Sequence, residues 1–356
     1  MDSNTNPAFF MRARLGSGPE PGRISPLRML ATITLIHFCL AAVFLHSLGT
    51  NPLYLLVGVF KTFPEALNLA KQVAPVWVVV AVAAGVLAVP GARRRIRGKL
   101  TEILLIAAYC SMFTFSFGFM KTHLPLLFPF WADPMLTRLD AVMTPRASVT
   151  WMDAIPFPVI LNAYFNIWVV GATLFPVFMA VFDPNDRRRR VFTALWATCW
   201  IGLGNVLAAG FMSVGPIFLD TLPGGDPARY PDVFELLMRP EAAALLEVKD
   251  RLWNAYTSGQ VLVGSGISAF PSVHVGMATV IALYLGAVLT GWARARASRL
   301  SGRVIKAVAV FLPVAIVVFY QLVTVYIGMH YAIDGYASIL LMILAWRWLS
   351  HSALAR

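Results

Sequence analysis

Eight long apolar stretches dominate the sequence and constrain its fold more than any other feature. They cover residues 28–48, 72–90, 101–120, 159–182, 191–213, 275–292, 304–325 and 332–349. A helix needs roughly 20 apolar residues to cross the hydrocarbon core of a bilayer. The composition agrees, since 58% of the residues are hydrophobic, 13% are charged and the mean hydropathy is +0.71. We therefore predict an all-α polytopic membrane protein with about eight transmembrane helices, and we exclude a soluble enzyme and a disulfide scaffold.

The basic residues lie mostly in every second connection between these stretches. The net charge is +12, and the run Arg187–Arg190 is typical of such a connection, whereas most acidic residues lie in the others. The positive-inside rule then predicts a multi-pass protein of the cell membrane with cytoplasmic N- and C-termini. Anionic lipid of the inner leaflet is the expected partner of the basic loops, and nucleic acid is not implied. The excess of Arg over Lys suggests a bacterial source, in which the opposite face would be the periplasm or the cell exterior.

Two connections on the predicted outer side, residues 121–158 and 214–274, are too long to be simple turns. Between Pro231 and Trp253 apolar residues recur at helical spacing, and Pro240 should interrupt that helix. This pattern is typical of an amphipathic helix that lies on the outer leaflet. A lid over an active site would have the same pattern, and the sequence leaves both interpretations open.

Three of the six histidines, His123, His274 and His330, fall on the same predicted outer face. His330 and Asp334 are four residues apart and so share one face of a helix. A carboxylate bonded to one imidazole nitrogen raises the basicity of the other, as in a histidine that acts as nucleophile or base. Chance or structural pairing would give the same spacing. A second histidine at the outer end of another helix favours the catalytic interpretation.

Pro271 and Ser272 mark the start of the sixth apolar stretch, three and two residues before His274. In one interpretation, Ser272 caps the helix and has no other role. The free N–H groups and the positive dipole of a helix N-terminus would also suit a phosphate group. The segment is therefore a candidate phosphate site as well as a helix start.

Together, Pro271-Ser272-Val273-His274 and His330-x-x-x-Asp334 resemble motifs of the type 2 phosphatidic acid phosphatase superfamily of membrane lipid phosphatases and phosphotransferases. Within it, the segment from Gly266 to His274 and the pair Gly215-Pro216 are most similar to the branch that contains inositol phosphorylceramide synthase. The resemblance covers roughly residues 105–349. It implies a six-helix catalytic core that follows two additional helices.

The resulting organisation has four parts. They are a cytoplasmic segment (1–27), two N-terminal transmembrane helices (28–100), a phosphatase- or phosphotransferase-like membrane domain (101–349) and a cytoplasmic tail (350–356).

The resemblance also implies roles for individual residues. His330 would attack phosphorus and form a phosphohistidine, and Asp334 would orient it. His274 would protonate the departing oxygen and then activate the acceptor. These three residues are the predicted catalytic set.

The predicted substrate-binding residues match the superfamily less completely. Lys121 corresponds to the lysine of its first motif and would contact phosphate, and Ser272 and Tyr331, which adjoin the catalytic histidines, are also assigned to substrate binding. The chain has Phe128 where the superfamily has an arginine, and Val323-Thr324 where it has Ser-Arg. Two of the usual cationic contacts are therefore missing.

Phosphoryl transfer relies on cations that neutralise the equatorial oxygens, so other basic residues should compensate. Arg251 and Lys249 are the preferred substitutes, ahead of Arg138 and Arg146, although a solvated charged surface would also explain them. The acids Asp133 and Asp140 would bind a polyol head group or, alternatively, cap helices or lie in solvent.

The leading hypothesis is a lipid phosphotransferase that moves a phospho-head group of the inositol phosphate type from a phospholipid donor to a hydroxyl acceptor. The alternative is a phosphatase acting on phosphatidate or polyprenyl phosphate. A transporter fits less well, since its ionisable residues would lie near the midplane within repeated halves. We expect no cofactor and no metal, because no His-x-x-x-His or Cys pair completes a zinc site. The oligomeric state is left open.

Overall fold

A computed structural model describes residues 24–58, 84–86, 91–143, 146–260, 266–295 and 300–355. Within these residues the regular structure is helical, and six helices are long and apolar enough to cross a membrane. A bent helix pair would make a seventh span. The predicted class, an all-α polytopic membrane protein, is confirmed. The predicted second span, 72–90, lies outside the described residues except for 84–86, and the four-part domain organisation stays a prediction.

Twelve helices of the described residues are used below. They are α1 (Pro26–Ser47), α2 (Ala92–Gly98), α3 (Leu100–Leu127), α4 (Asp133–Met143), α5 (Phe157–Thr173), α6 (Phe175–Phe182), α7 (Asp186–Gly210), α8 (Pro231–Leu237), α9 (Ala243–Thr257), α10 (Val273–Ala295), α11 (Leu300–Tyr326) and α12 (Ala332–His351).

The span predicted as one continuous helix over 159–182 is instead bent by 58° between α5 and α6. Pro176 lies in the first turn of α6 and has no backbone N–H to donate to the carbonyl of Ala172, one helical turn earlier. That carbonyl accepts a 2.7 Å hydrogen bond from the indole Nε1 of Trp196 in α7 instead. The tertiary contact satisfies the group that the proline leaves unpaired, so the bend is stable.

The segment predicted to be helical from Pro231 to Trp253 forms α8 and α9, and a short 3₁₀ turn that begins at Pro240 separates them. Their apolar residues pack into the protein, where Val233 and Leu245 are completely buried. Leu252 of α9 lies in the wall of the cavity described below. This segment therefore helps to enclose a cavity.

Two apolar clusters hold the bundle together. One lies among the long helices and includes Phe113, Trp196 and Met277. The other lies at the end of the bundle where α10 and α12 begin, and it packs α4 and α8 against the last turns of α11 through residues such as Leu136 and Val323. The second cluster supports the segments that carry the candidate site.

Candidate active site

The starts of α10 and α12 bring His274 and His330 together, although 55 residues separate them in sequence. Their ring centroids are 5.8 Å apart. Both side chains line a cavity of about 350 Å³ whose wall also includes Lys121 of α3. Three of the residues predicted from sequence to take part in catalysis or phosphate binding therefore share one cavity.

The hydrogen bonds of His330 define its tautomer. Its Nδ1 lies 2.8 Å from the carbonyl oxygen of Ala269 and 3.3 Å from Oδ2 of Asp334. Since a carbonyl only accepts, Nδ1 carries the proton and donates it, which leaves the lone pair on Nε2. Burial lowers the pKa of His330 to about 3. The hydrogen bond to Ala269 raises the pKa, and the positive charge of Lys121 lowers it further, but burial has the largest effect. The side chain is thus a neutral imidazole with one nucleophilic nitrogen.

Asp334 links the two segments that carry the histidines. Its side chain is completely buried, and Oδ2 accepts a 2.9 Å hydrogen bond from the backbone N–H of Tyr331 as well as the contact from His330. Its backbone carbonyl accepts from the N–H of Ser272, just before α10. The predicted hydrogen bond between His330 and Asp334 is present. However, Nδ1 of His330 also donates to the backbone carbonyl of Ala269, so two acceptors orient this imidazole.

His274 is held by two aromatic residues of α5 that the sequence-based reasoning missed. Its imidazole stacks on Tyr164 at 4.1 Å and on Trp168 at 3.9 Å between centroids. The indole Nε1 of Trp168 also donates to the backbone carbonyl of His274 at 3.0 Å. The two aromatic residues are one helical turn apart and so lie on one face of α5, which is the only feature of the sequence that could have indicated a shared function. The stacking restricts the orientation of the imidazole beside His330.

The α4 helix fastens the loop that carries His330. Asp133 accepts hydrogen bonds from the hydroxyl of Tyr331 at 2.8 Å and from the backbone N–H groups of Val214 and Gly215. Asp140, two turns later, accepts from the N–H of Ala332 at 2.6 Å. Burial raises the pKa of Asp133, and its three hydrogen bonds oppose that effect. Both acids are buried, so the expectation that they lie in solvent is wrong.

Gly215 allows a second loop to approach the His330 loop. Its φ is +89°, and a Cβ at this position would lie 2.7 Å from the carbonyl oxygen of Met329. Two residues later, the N–H of Ile217 donates to the carbonyl of Gly328 at 2.8 Å. Only glycine combines this backbone angle with this close contact, so the Gly215-Pro216 pair has a direct structural function next to His330.

Four of the residues predicted to bind substrate do not line the cavity. Tyr331 is fully buried against Asp133, and the Oγ of Ser272 accepts from the N–H of Val275 at the start of α10. Lys249 is buried in an ion pair with Asp220, and Arg251 is exposed. Among the described residues of the cavity wall, Lys121 is the one Lys or Arg side chain.

The remaining predicted cations lie elsewhere. Arg138 is exposed, and its Nε donates to the carbonyl of Pro134 in its own helix. The side chain of Arg146 is outside the described part of the chain. Ser268 is part of the Gly266–His274 segment but was not assigned a function from sequence; it lies in the cavity wall, and its buried Oγ has no hydrogen-bond partner among the described residues. Its hydroxyl is therefore available to a bound ligand.

Comparison with known families decides the classification. A family profile described as the PAP2 superfamily matches residues 138–348. The chain belongs to the PAP2 superfamily. The matched region contains His274, His330 and Asp334, whereas Lys121 precedes it. No curated protein and no solved structure gives a significant match.

Membership of the PAP2 superfamily confirms the resemblance at the level of the superfamily and supports an enzyme of the phosphatase or phosphotransferase type. Its substrates are then membrane lipids, in keeping with the apolar helices that surround the cavity. The more specific resemblance to the inositol phosphorylceramide synthase branch stays a prediction.

Proposed function

We propose that this protein is a membrane lipid phosphotransferase that moves a phospho-head group from a phospholipid donor to a hydroxyl acceptor through a phosphohistidine on His330. The observation that carries the proposal is the pairing of His330, neutral and protonated on Nδ1, with His274 in one cavity beside Lys121. Histidine nucleophiles need this tautomer, and the second histidine provides the acid–base group.

The reaction then has two displacement steps. Nε2 of His330 attacks phosphorus, the bond from phosphorus to the lipid oxygen breaks, and His274, once it has taken up a proton from solvent, gives that proton to the departing lipid alkoxide. The head group is left on His330 as a phosphoramidate. In the second step the acceptor hydroxyl attacks phosphorus, His274 takes the hydroxyl proton, and His330 leaves with its lone pair restored.

The small number of cations favours a phosphodiester as the donor. A diester carries one negative charge, whereas a phosphomonoester approaches two at neutral pH and depends more strongly on surrounding cations. Lys121 alone, among the Lys and Arg residues of the described wall, provides one matching positive charge. The hydroxyl of Ser268 adds a neutral donor. These groups suit head-group transfer better than hydrolysis of phosphatidate.

The wall of the cavity also favours transfer over hydrolysis. It is built largely from aromatic and aliphatic side chains, among them Phe117, Phe165, Val169 and Leu252. Apolar walls limit the entry of water to a reactive intermediate. A head group of the inositol phosphate type is supported by the resemblance of the Gly266–His274 segment to the synthase branch, and an extracytoplasmic site by the charge bias of the loops.

The test uses the full chain in lipid nanodiscs. Donors with inositol, glycerol, ethanolamine and choline head groups, and phosphatidate, are each supplied with and without diacylglycerol-type or ceramide-type acceptors. We expect a new phospholipid, detected by mass spectrometry, only with an inositol-type donor and an acceptor, and no product from His330→Ala. Release of free phosphate from phosphatidate without an acceptor would instead establish the phosphatase alternative.

A further inference from the structure

The cavity continues below the catalytic histidines along α3. Thr114 and Lys121 both line it and are seven residues apart, which corresponds to two helical turns, or about 10 Å. Phe117, between them on α3, packs its ring 4.7 Å from the ring of Trp200 of α7, which also lines the cavity. Thr114 and Trp200 therefore belong to the part of the wall that lies beyond the Lys121 end.

Both residues carry a buried polar atom without a partner. The hydroxyl oxygen of Thr114 and the indole Nε1 of Trp200 are buried and make no hydrogen bond within the described part of the chain. Trp200 is only 4% exposed. Leaving such a group unpaired is unfavourable, so native proteins rarely do so without a bound water or ligand.

Neighbouring residues of the same types show that the local structure can satisfy such groups. The hydroxyl of Thr173, which also lines the cavity, donates to the carbonyl of Val169 at 2.7 Å. Trp168 and Trp196 donate their indole protons to backbone carbonyls. Thr114 and Trp200 thus differ from equivalent residues because their polar atoms, in the wall of one cavity, have no partner among the described residues.

The chemistry of the donors limits the ligand. An indole N–H only donates, so the ligand atom must be an acceptor, and threonine can donate to the same atom. The surrounding wall is apolar, so that acceptor must be attached to hydrocarbon. In a lipid whose phosphate lies at Lys121, the carbonyl of an acyl linkage lies a few bonds further from phosphorus and then continues into the acyl chain.

We propose that Thr114 and Trp200 form a subsite that binds the acyl-linkage carbonyl of the lipid substrate, below the phosphate. The subsite would make the enzyme select acyl lipids over ether lipids of the same head group. This inference rests on the proposed function, and it specifies which feature of the lipid the protein recognises. The carbonyl belongs either to the donor or to the acceptor.

Turnover rates with matched acyl and ether lipids show whether the recognised carbonyl belongs to the donor or to the acceptor. The donor arm compares diacyl with dialkyl ether phospholipids that carry one head group, and the acceptor arm compares diacylglycerol with dialkylglycerol. In the arm that carries the recognised carbonyl, we expect wild type to prefer the acyl lipid by about fivefold to tenfold in kcat/KM. Thr114→Val and Trp200→Phe should each reduce that preference to about twofold or less. Thr173→Val, the matched control, should retain it.

Binding provides a readout that does not depend on turnover. In His330→Ala nanodiscs, diacyl and dialkyl phospholipids compete with a fluorescent phospholipid. We expect the diacyl lipid to compete about fivefold better, and the addition of Thr114→Val to remove the difference. Equal competition by both lipids, together with an unchanged acyl preference in the Thr114→Val and Trp200→Phe enzymes, would overturn the proposal and leave water as the occupant. A binding preference without turnover would support the subsite and reject the proposed transferase reaction.

Discussion

The imidazole Nδ1 of His330 donates a 2.8 Å hydrogen bond to the backbone carbonyl of Ala269. Ala269 lies five residues before His274, so one loop both orients the nucleophile and leads into the acid–base residue. The carboxylate of Asp334 is further from Nδ1, at 3.3 Å. The backbone therefore shares with Asp334 the task of fixing the tautomer of His330.

Asp334→Asn should accordingly reduce activity without abolishing it. The carbonyl of Ala269 still holds the proton on Nδ1, so we expect kcat to fall by roughly 10- to 100-fold, well short of the loss in His330→Ala. Steady-state kinetics of both variants, with thermal unfolding as a check on folding, measure the difference. Equal losses in two correctly folded variants would show that the carboxylate alone determines the tautomer.

Tyr331→Phe separates a positioning role from substrate binding. The variant loses the hydrogen bond to Asp133 that holds the residue next to His330. We expect kcat to fall about tenfold with KM nearly unchanged, because His330 is displaced and the lipid contacts are retained. Tyr326→Phe, which removes a hydroxyl bonded to the partly exposed Asp153, is the control and should keep its kcat. A rise in KM with normal kcat would restore Tyr331 to the substrate-binding residues.

Lys121 and Lys249 should respond differently to the same substitution. Lys121→Met removes the positive charge from the cavity wall, and we expect kcat/KM to fall by at least 100-fold. Lys249→Met breaks the ion pair between the buried Lys249 and the exposed Asp220, and it should lower the thermal unfolding midpoint only slightly while leaving kcat/KM within about threefold of wild type. A larger catalytic loss in Lys249→Met than in Lys121→Met would return Lys249 to the phosphate site.

Gly215 and Gly224 offer a matched pair of alanine substitutions. Both have positive φ, but a Cβ at Gly224 meets nothing within 4 Å, whereas one at Gly215 meets the carbonyl of Met329. Both variants pay the backbone cost, about 1 kcal/mol. Gly215→Ala should in addition displace the His330 loop and lower kcat, and Gly224→Ala should not. Kinetics alongside unfolding curves would reveal the difference, and identical kcat values would contradict it.

His330 should stay neutral in mildly acidic solution. Burial lowers its pKa to about 3, below the ordinary value of about 6.5, so His330 should stay unprotonated when the pH is lowered to 5. Nitrogen-15 NMR of labelled histidine, assigned with His330→Ala, should show a protonated Nδ1 and an unprotonated Nε2 at pH 5. Conversion of that signal to imidazolium near pH 6.5 would contradict the described burial.

The apolar spans and the two histidine motifs could be predicted from the sequence because they depend on local composition and spacing. The hydrophobic stretches specify transmembrane helices almost by length alone, and His330 and Asp334 are only four residues apart, although His330 lies in the loop before α12 and not on the helix itself. The bend at Pro176 depended on a distant partner, since Trp196 of α7 satisfies the carbonyl that the proline leaves free. Local pattern alone did not predict that contact.

The substrate-binding residues were harder to assign because charge in a sequence does not show its partner. Lys249 pairs with Asp220, and Asp133 holds Tyr331 and a neighbouring loop, so these ionisable residues serve the framework of the site. Conversely, Tyr164 and Trp168 are ordinary apolar residues of a transmembrane helix until His274 is placed against them. The functions of these residues depend on tertiary contacts, which neither the spacing nor the composition of the sequence reveals.

The most direct test is to trap the covalent intermediate. Wild-type enzyme in nanodiscs is mixed with a donor labelled in its head group, quenched in alkali during turnover, digested and analysed by mass spectrometry, with His330→Ala in parallel. We expect the labelled phospho-head group to be attached to His330 in wild type, and His330→Ala to have neither adduct nor turnover. Label on another residue, or sustained turnover in His330→Ala, would contradict it.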